Sequence, residues 1–176
     1  MDKPDNVFLV GPMGAGKTTV GRRLAQILQR RFIDSDKEIE RRTGVDIPTI
    51  FELEGEAGFR LREKAVIADL TRRQGVVLAT GGGAVLDADN RRCLVRRGIV
   101  VYLSASVDEQ LRRTRCGTQR PLLRTTDPHA RLAELLSVRK PLYREVADFV
   151  ISTDAKQVGV VVQSILRYLE KRRSCL

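Results

Sequence analysis

Residues 11–18 read Gly-Pro-Met-Gly-Ala-Gly-Lys-Thr, a match to G-x-x-x-x-G-K-S/T that directly follows a short apolar run and directly precedes an amphipathic stretch. Such a loop is built to grip a polyphosphate. Its glycines let backbone N–H groups converge on phosphate oxygens, and the helix that follows adds the positive end of its dipole. Lys17 reaches the β- and γ-phosphates and the Thr18 hydroxyl ligates Mg2+. Gly14, Ala15, Gly16, Lys17, Thr18 and Thr19 are the candidate nucleotide contacts. The plain alternative is a glycine-rich turn joining strand to helix. At an average glycine usage of ~7% it requires a match that arises by chance in roughly one chain of this size in hundreds. Kinases, GTPases, helicases and transporters share the loop, so it specifies a nucleoside triphosphate and no more. No N-K-x-D guanine signature follows, which favours adenine and hence ATP.

A second group of residues could serve an acceptor. In Phe32-Ile33-Asp34-Ser35-Asp36 the two carboxylates are two apart on extended chain and project from one face. Asp34, nearer the strand, suits the Mg2+ water shell, while Asp36 suits a hydrogen bond from an attacking hydroxyl, orienting it for in-line transfer. The alternative is that one caps a helix over Lys37–Arg42 and the other is solvated. Arg60 and Glu63 are neighbours on a helix expected to open at Phe59, which ordinarily means a surface pair. Arg139 lies four residues from both Leu135 and Tyr143 in an apolar stripe, where an arginine either snorkels along the core or pairs with an anion. Both readings stay open on spacing alone. Thr80-Gly81-Gly82-Gly83-Ala84 follows an apolar run and could bring backbone N–H groups close to a ligand. The arginine-rich stretch 115–127 has little helical pattern and is expected to be a mobile lid, with Arg120 beside Pro121 supplying positive charge to the phosphates.

These residues need a frame. Asn6–Val10, Arg31–Asp34, Val76–Ala79, Ile99–Leu103 and Phe149–Ser152 are short apolar runs of the kind buried on both faces of a parallel sheet. Helical stripes fill the gaps. Val20, Leu24, Ile27 and Leu28 mark one face, as do Val158, Val161, Val162, Ile165, Leu166 and Leu169. Asp154 with Gln157, and Ser106 with Glu109, have the spacing of capping boxes. Gly75 and Gly98 stand where helices should stop. The expected architecture is a three-layer α/β/α domain around a central five-stranded parallel sheet, with ligands at the carboxyl ends of the strands.

Residues 1–176 have the size of one domain, and 42% hydrophobic with 31% charged residues is ordinary for a soluble protein. No apolar run approaches the ~18 residues of a membrane span, and the first residues lack the order of a secretory signal, so the expectation is cytoplasmic with no membrane partner. Cys93, Cys116 and Cys175 are widely spaced and read as reduced, incidental thiols. The net charge of +10 comes from 32 Lys+Arg against 22 Asp+Glu. It could serve nucleic acid, but aromatics are only 5% and the basic residues are scattered, which speaks against a nucleic-acid partner and for small anions. His129, the single histidine, has no evident partner and is placed near a helix start.

Taken in order, G-P-M-G-A-G-K-T-T-V-G, F-I-D-S-D-x-E-I-E, F-R-x-x-E, G-G-G-A, R-P-L-L and R-x-x-L-Y resemble the shikimate kinase family from about Val7 to Leu169. The resemblance implies a P-loop fold like that of nucleoside monophosphate kinases, with a substrate region near residues 34–62 and a lid near 116–127. It implies transfer of the ATP γ-phosphate to the 3-hydroxyl of shikimate, a step toward chorismate and the aromatic amino acids, in a monomer. Asp36 would bind substrate hydroxyls, Arg60 and Arg139 the carboxylate, and Gly82 the ring side of the site. Asp34 with Thr18 would serve Mg2+, and Arg120 would meet the ATP phosphates. Arg112 and Gln157 would border the adenine, although Gln157 also fits the capping box. Phe51 and Phe59 could wall the pocket. The rival readings are another small-molecule or nucleoside monophosphate kinase on the same fold, a nucleic-acid-dependent NTPase, and an idle nucleotide-binding regulator.

Overall fold

The computed structural model describes residues 5–114 and 125–174. Five strands, β1 (Val7–Val10), β2 (Arg31–Asp34), β3 (Val76–Ala79), β4 (Ile99–Ser104) and β5 (Phe149–Ser152), pair in parallel in the order β2-β3-β1-β4-β5. β1 lies at the centre, with Leu9 facing Ala79 on one side and Val101 on the other. The three inner strands are buried as continuous apolar runs demand, save for Ser104 at the end of β4. β2 and β5 depart from the expectation of full burial, because each is an edge strand with one row of neighbours and partly exposed side chains.

Alternation along the strands separates two cores. Phe8, Val10, Leu78, Val100 and Tyr102 point to one face. They pack against α3 (Ile47–Leu70), α4 (Ala88–Arg97) and α6 (Pro128–Val146), which contribute Ile67, Leu94 and Tyr143. Val7, Leu9, Val77, Val101 and Leu103 point to the other, against α1 (Lys17–Leu28) and α7 (Val158–Ser174). The three layers follow from this two-sided burial.

Because all strands run the same way, their carboxyl ends form one edge. The phosphate loop after β1, Asp34 at the end of β2 and the glycines after β3 all fall there, with Asp34 in register with Ala79. Four local expectations are revised. α2 (Ser35–Thr43) starts immediately after β2, since Asp34 caps it by accepting the backbone N–H groups of Asp36 and Lys37. α3 begins at Ile47 rather than Phe59, capped by Asp46, and Gly55 and Gly58 together cost it only one break, at Gly55 (φ 70°, ψ −176°). The box proposed for α7 does not form: the Asp154 carboxylate accepts from the backbone N–H of Ser106 instead. That bond also leaves the second box half made. Ser106 Oγ accepts from the Glu109 N–H, while the Glu109 carboxylate pairs with Arg112 and Arg113.

Candidate active site

At the carboxyl edge lies a cleft of about 630 Å³ between the phosphate loop, the start of α2, α3 and the glycine loop after β3. On its nucleotide side, Gly11 has φ 146°, and a Cβ there would run into the Leu103 carbonyl, so no other residue fits at the turn out of β1. Lys17 Nζ donates to the carbonyls of Gly11 and Pro12 at 2.7 and 2.8 Å, which curls its ammonium over the loop. α5 (Val107–Thr114) closes the loop from the far side. Arg113 on this helix donates to the Gly14 carbonyl at 2.9 Å, and to the hydroxyl and carbonyl of Thr153 at 3.0 and 2.8 Å. It straps the phosphate loop to the connection between β5 and α7.

Asp34 and Asp36, two residues apart, have different surroundings. Asp34 Oδ1 caps α2, while its Oδ2 accepts the Thr18 hydroxyl proton at 2.8 Å. Asp36 is not solvated: its Oδ1 is buried with no hydrogen-bond partner. Burial first, and then the like charges of Asp34 and Glu63, push its carboxyl up to about 7 against the weaker pull of Lys17 and Arg60.

Glu63 is not a surface residue either. It is 1% exposed, its Oε2 accepts from Arg60 Nη1 at 2.7 Å, and its Oε1 is a second buried oxygen without a partner. Burial raises its pKa, and the Arg60 and Arg139 charges only partly oppose this. Arg60 lies over the glycine loop, against Gly83. Arg139 reaches the same loop from α6, with Nη1 3.5 Å from where a Gly82 Cβ would be. Tyr143, one turn further on, donates to the Gly82 carbonyl and stacks on Tyr102 with ring centroids 5.0 Å apart. Arg139 is 4% exposed, and among the described residues no carboxylate stands within ion-pair distance of it. Burial lowers its pKa, with the Tyr143 oxygen partly offsetting the loss.

The structure therefore gathers Lys17, Thr18, Asp34, Asp36, Arg60, Gly82 and Arg139 around one cleft. Phe51 and Phe59 also line it, with ring centroids 4.9 Å apart. Gln157 is exposed and contributes to the start of α7 through its carbonyl, which accepts from Val160 and Val161. Arg112 is two-thirds exposed and pairs with Glu109, so the arginine of α5 that lines the cleft is its neighbour Arg113. His129 does find a partner, with Nε2 3.3 Å from Asp108 on the surface. Arg120 and lid residues 116–124 lie outside the described residues, as do Cys116 and Cys175.

A family model described as shikimate kinase matches residues 13–170. The chain belongs to the shikimate kinase family. It is 60% identical to the shikimate kinase of Methylococcus capsulatus over 94% of its own length and 93% of that protein's. Among solved structures it resembles the shikimate kinase from Acinetobacter baumannii in complex with shikimate, at TM-score 0.94 and 54% identity over 96% of this chain and 94% of that one. The shikimate kinase from Aquifex aeolicus matches with TM-score 0.81 at 36% identity, over 96% and 98%. The activity is that of an ATP-dependent phosphotransferase with an alcohol acceptor: with Mg2+, it moves the γ-phosphate of ATP to a hydroxyl of shikimate. The sheet is that of the P-loop kinases resembling nucleoside monophosphate kinases.

The residues present fit both cofactors. Thr18 and Asp34 offer hard oxygen donors beside the loop, and among the described residues no cluster of three acidic, histidine or cysteine groups forms a closed cage. This suits an ion that keeps most of its waters and shares ligands with phosphates. Bound there, Mg2+ supplies charge neutralisation at the phosphates.

Proposed function

We propose that shikimate binds in this cleft with its carboxylate between Arg60 and Arg139, its ring against Gly82 and its 3-hydroxyl at Asp36. The observation that carries this reading is Arg139. A guanidinium so deeply buried, with no ion pair among the described residues, is costly unless an anion arrives, and a second guanidinium on the same glycine loop makes a planar carboxylate the matching guest. The Acinetobacter baumannii relative, which carries shikimate, supports the same guest.

Asp36 accepts the hydrogen bond of the attacking hydroxyl and aims it at the phosphoryl group. Lys17 exchanges its loop carbonyls for phosphate oxygens, and Thr18 and Asp34 hold Mg2+. Gly14, Ala15, Gly16 and Thr19 complete the phosphate cradle. We further assign Arg120 to the phosphates and Gln157 to the rim of the nucleotide site. The chain acts as one domain, with a substrate region near 34–62 and a lid near 116–127. It works as a cytoplasmic monomer, without nucleic acid.

The test is an ADP-release assay with shikimate, repeated on Lys17→Met, Asp36→Asn and Arg139→Ala. The reading expects each to lose at least ~100-fold in kcat/KM, with ATP affinity kept in the latter two. ADP release that survives Asp36→Asn and Arg139→Ala would refute the placement of the acceptor.

A further inference from the structure

Arg60 is already occupied. Its Nε and Nη2 donate to Glu56 Oε1 at 3.3 and 3.0 Å, while Nη1 donates to Glu63. The two acids are not equivalent. Glu63 is buried beneath the guanidinium, but Glu56 is half exposed and sits at the rim, one residue after the break in α3. Glu56 also acts through space on the charge of Arg139, so one carboxylate is felt by both arginines.

We propose that Glu56 is an internal stand-in for the carboxylate of the substrate, and that binding is an exchange in which the incoming acid displaces Glu56 from Arg60. This rests on the reading of Arg60 and Arg139 as the carboxylate clamp.

Three features make the exchange physically reasonable. Two guanidinium groups on one small loop repel each other, and Glu56 together with Glu63 offsets that charge while the cleft is empty. A half-exposed carboxylate in a helical i,i+4 pair is held weakly, so a better-placed acid can replace it. Gly55 has a backbone conformation suited to glycine and no neighbour within 4 Å of a Cβ position, so the chain beside Glu56 has room to turn. The consequence is a common cost: every carboxylate that enters the clamp must first displace Glu56, so Glu56 lowers the affinity for any such acid by the same factor. Glu56 is thus a positioning residue that acts on the clamp and touches no reacting atom.

The test is calorimetric titration of Glu56→Gln with shikimate and, separately, with cyclohexanecarboxylate, a carboxylate without hydroxyls. The exchange predicts that both bind about two- to fivefold more tightly than to the unaltered protein, with the relative preference for shikimate unchanged. Glu54→Gln removes a nearby charge that is bonded to Arg62 rather than Arg60, and it should change neither affinity. Unchanged or weaker binding to Glu56→Gln overturns the proposal, because Glu56 would then be a spectator or a support for Arg60. An equal gain in Glu54→Gln overturns it too, since the effect would be general field relief. Arg139→Ala separates the two layers of the argument. If it weakens shikimate while Glu56→Gln gains nothing, the exchange fails and the clamp stands; if it leaves shikimate binding intact, the clamp itself fails.

Discussion

Asp36 Oδ1 and Glu63 Oε1, from two different helices, converge on Gly81, each 2.7 Å from the point a Cβ would occupy there. Both oxygens are buried and without partners, so the absent side chain leaves two acceptors aimed at one small volume. The Gly81 N–H is itself fixed by Ser35 Oγ at 2.9 Å, which pins the glycine loop to the start of α2.

Gly81→Ala should therefore damage the acceptor side selectively. A Cβ must push Asp36 and Glu63 apart, and misplacement of about 1 Å at a reacting group can cost ~100-fold. The expected result is a fall in kcat/KM for shikimate of about that size with ATP affinity within about twofold, read from initial rates and nucleotide titration.

Asp36 also sets a pH signature of stability in the ligand-free protein. Its folded pKa, about 7, lies above its ordinary value of 3.8, so between these values the native state binds more protons than the unfolded chain. Stability from this group is greatest at acid pH and is lost as pH rises toward 7. Asp36→Asn should accordingly melt higher than the unaltered protein at pH 8, by about a few degrees, with the gain shrinking toward pH 5. Thermal melts across that range check the sign.

Arg113 should matter to the nucleotide more than to the acceptor. Its three hydrogen bonds hold Gly14 to Thr153, and charged hydrogen bonds contribute about 1.5–3 kcal/mol each, shared between folding and loop geometry. Arg113→Met is expected to weaken ATP about tenfold or more and leave shikimate affinity nearly unchanged, which titration with each ligand alone can establish.

Much of this frame was legible in the chain. The glycine-lysine loop and the buried parallel strands rest on local patterns that tertiary packing reinforces, and three strands begin and end where the pattern puts them. The start of α3 at Ile47 is hidden in the sequence because Gly55 and Gly58 give residues 54–58 the look of a loop, while only Gly55 leaves helical geometry. Glu63 looked like half of a surface pair because i,i+3 spacing carries no depth; its burial depends on the glycine loop folding over it. Arg113 could have been found. Gln110 and Thr114 are the buried face of α5, which turns Arg113 toward the phosphate loop and Arg112 away. Arg139 is ambiguous by spacing, and its burial with no carboxylate within ion-pair distance among the described residues gives the observation that spacing lacks.

The claim that Arg139 holds the substrate carboxylate is tested most directly by a cycle between enzyme and substrate: kcat/KM for shikimate and for its methyl ester, in the unaltered protein and in Arg139→Ala. The account predicts that esterification costs the unaltered protein about 1,000-fold but Arg139→Ala less than about tenfold, because the charge and its partner act as one unit. An ester penalty of the same size in both proteins would contradict it.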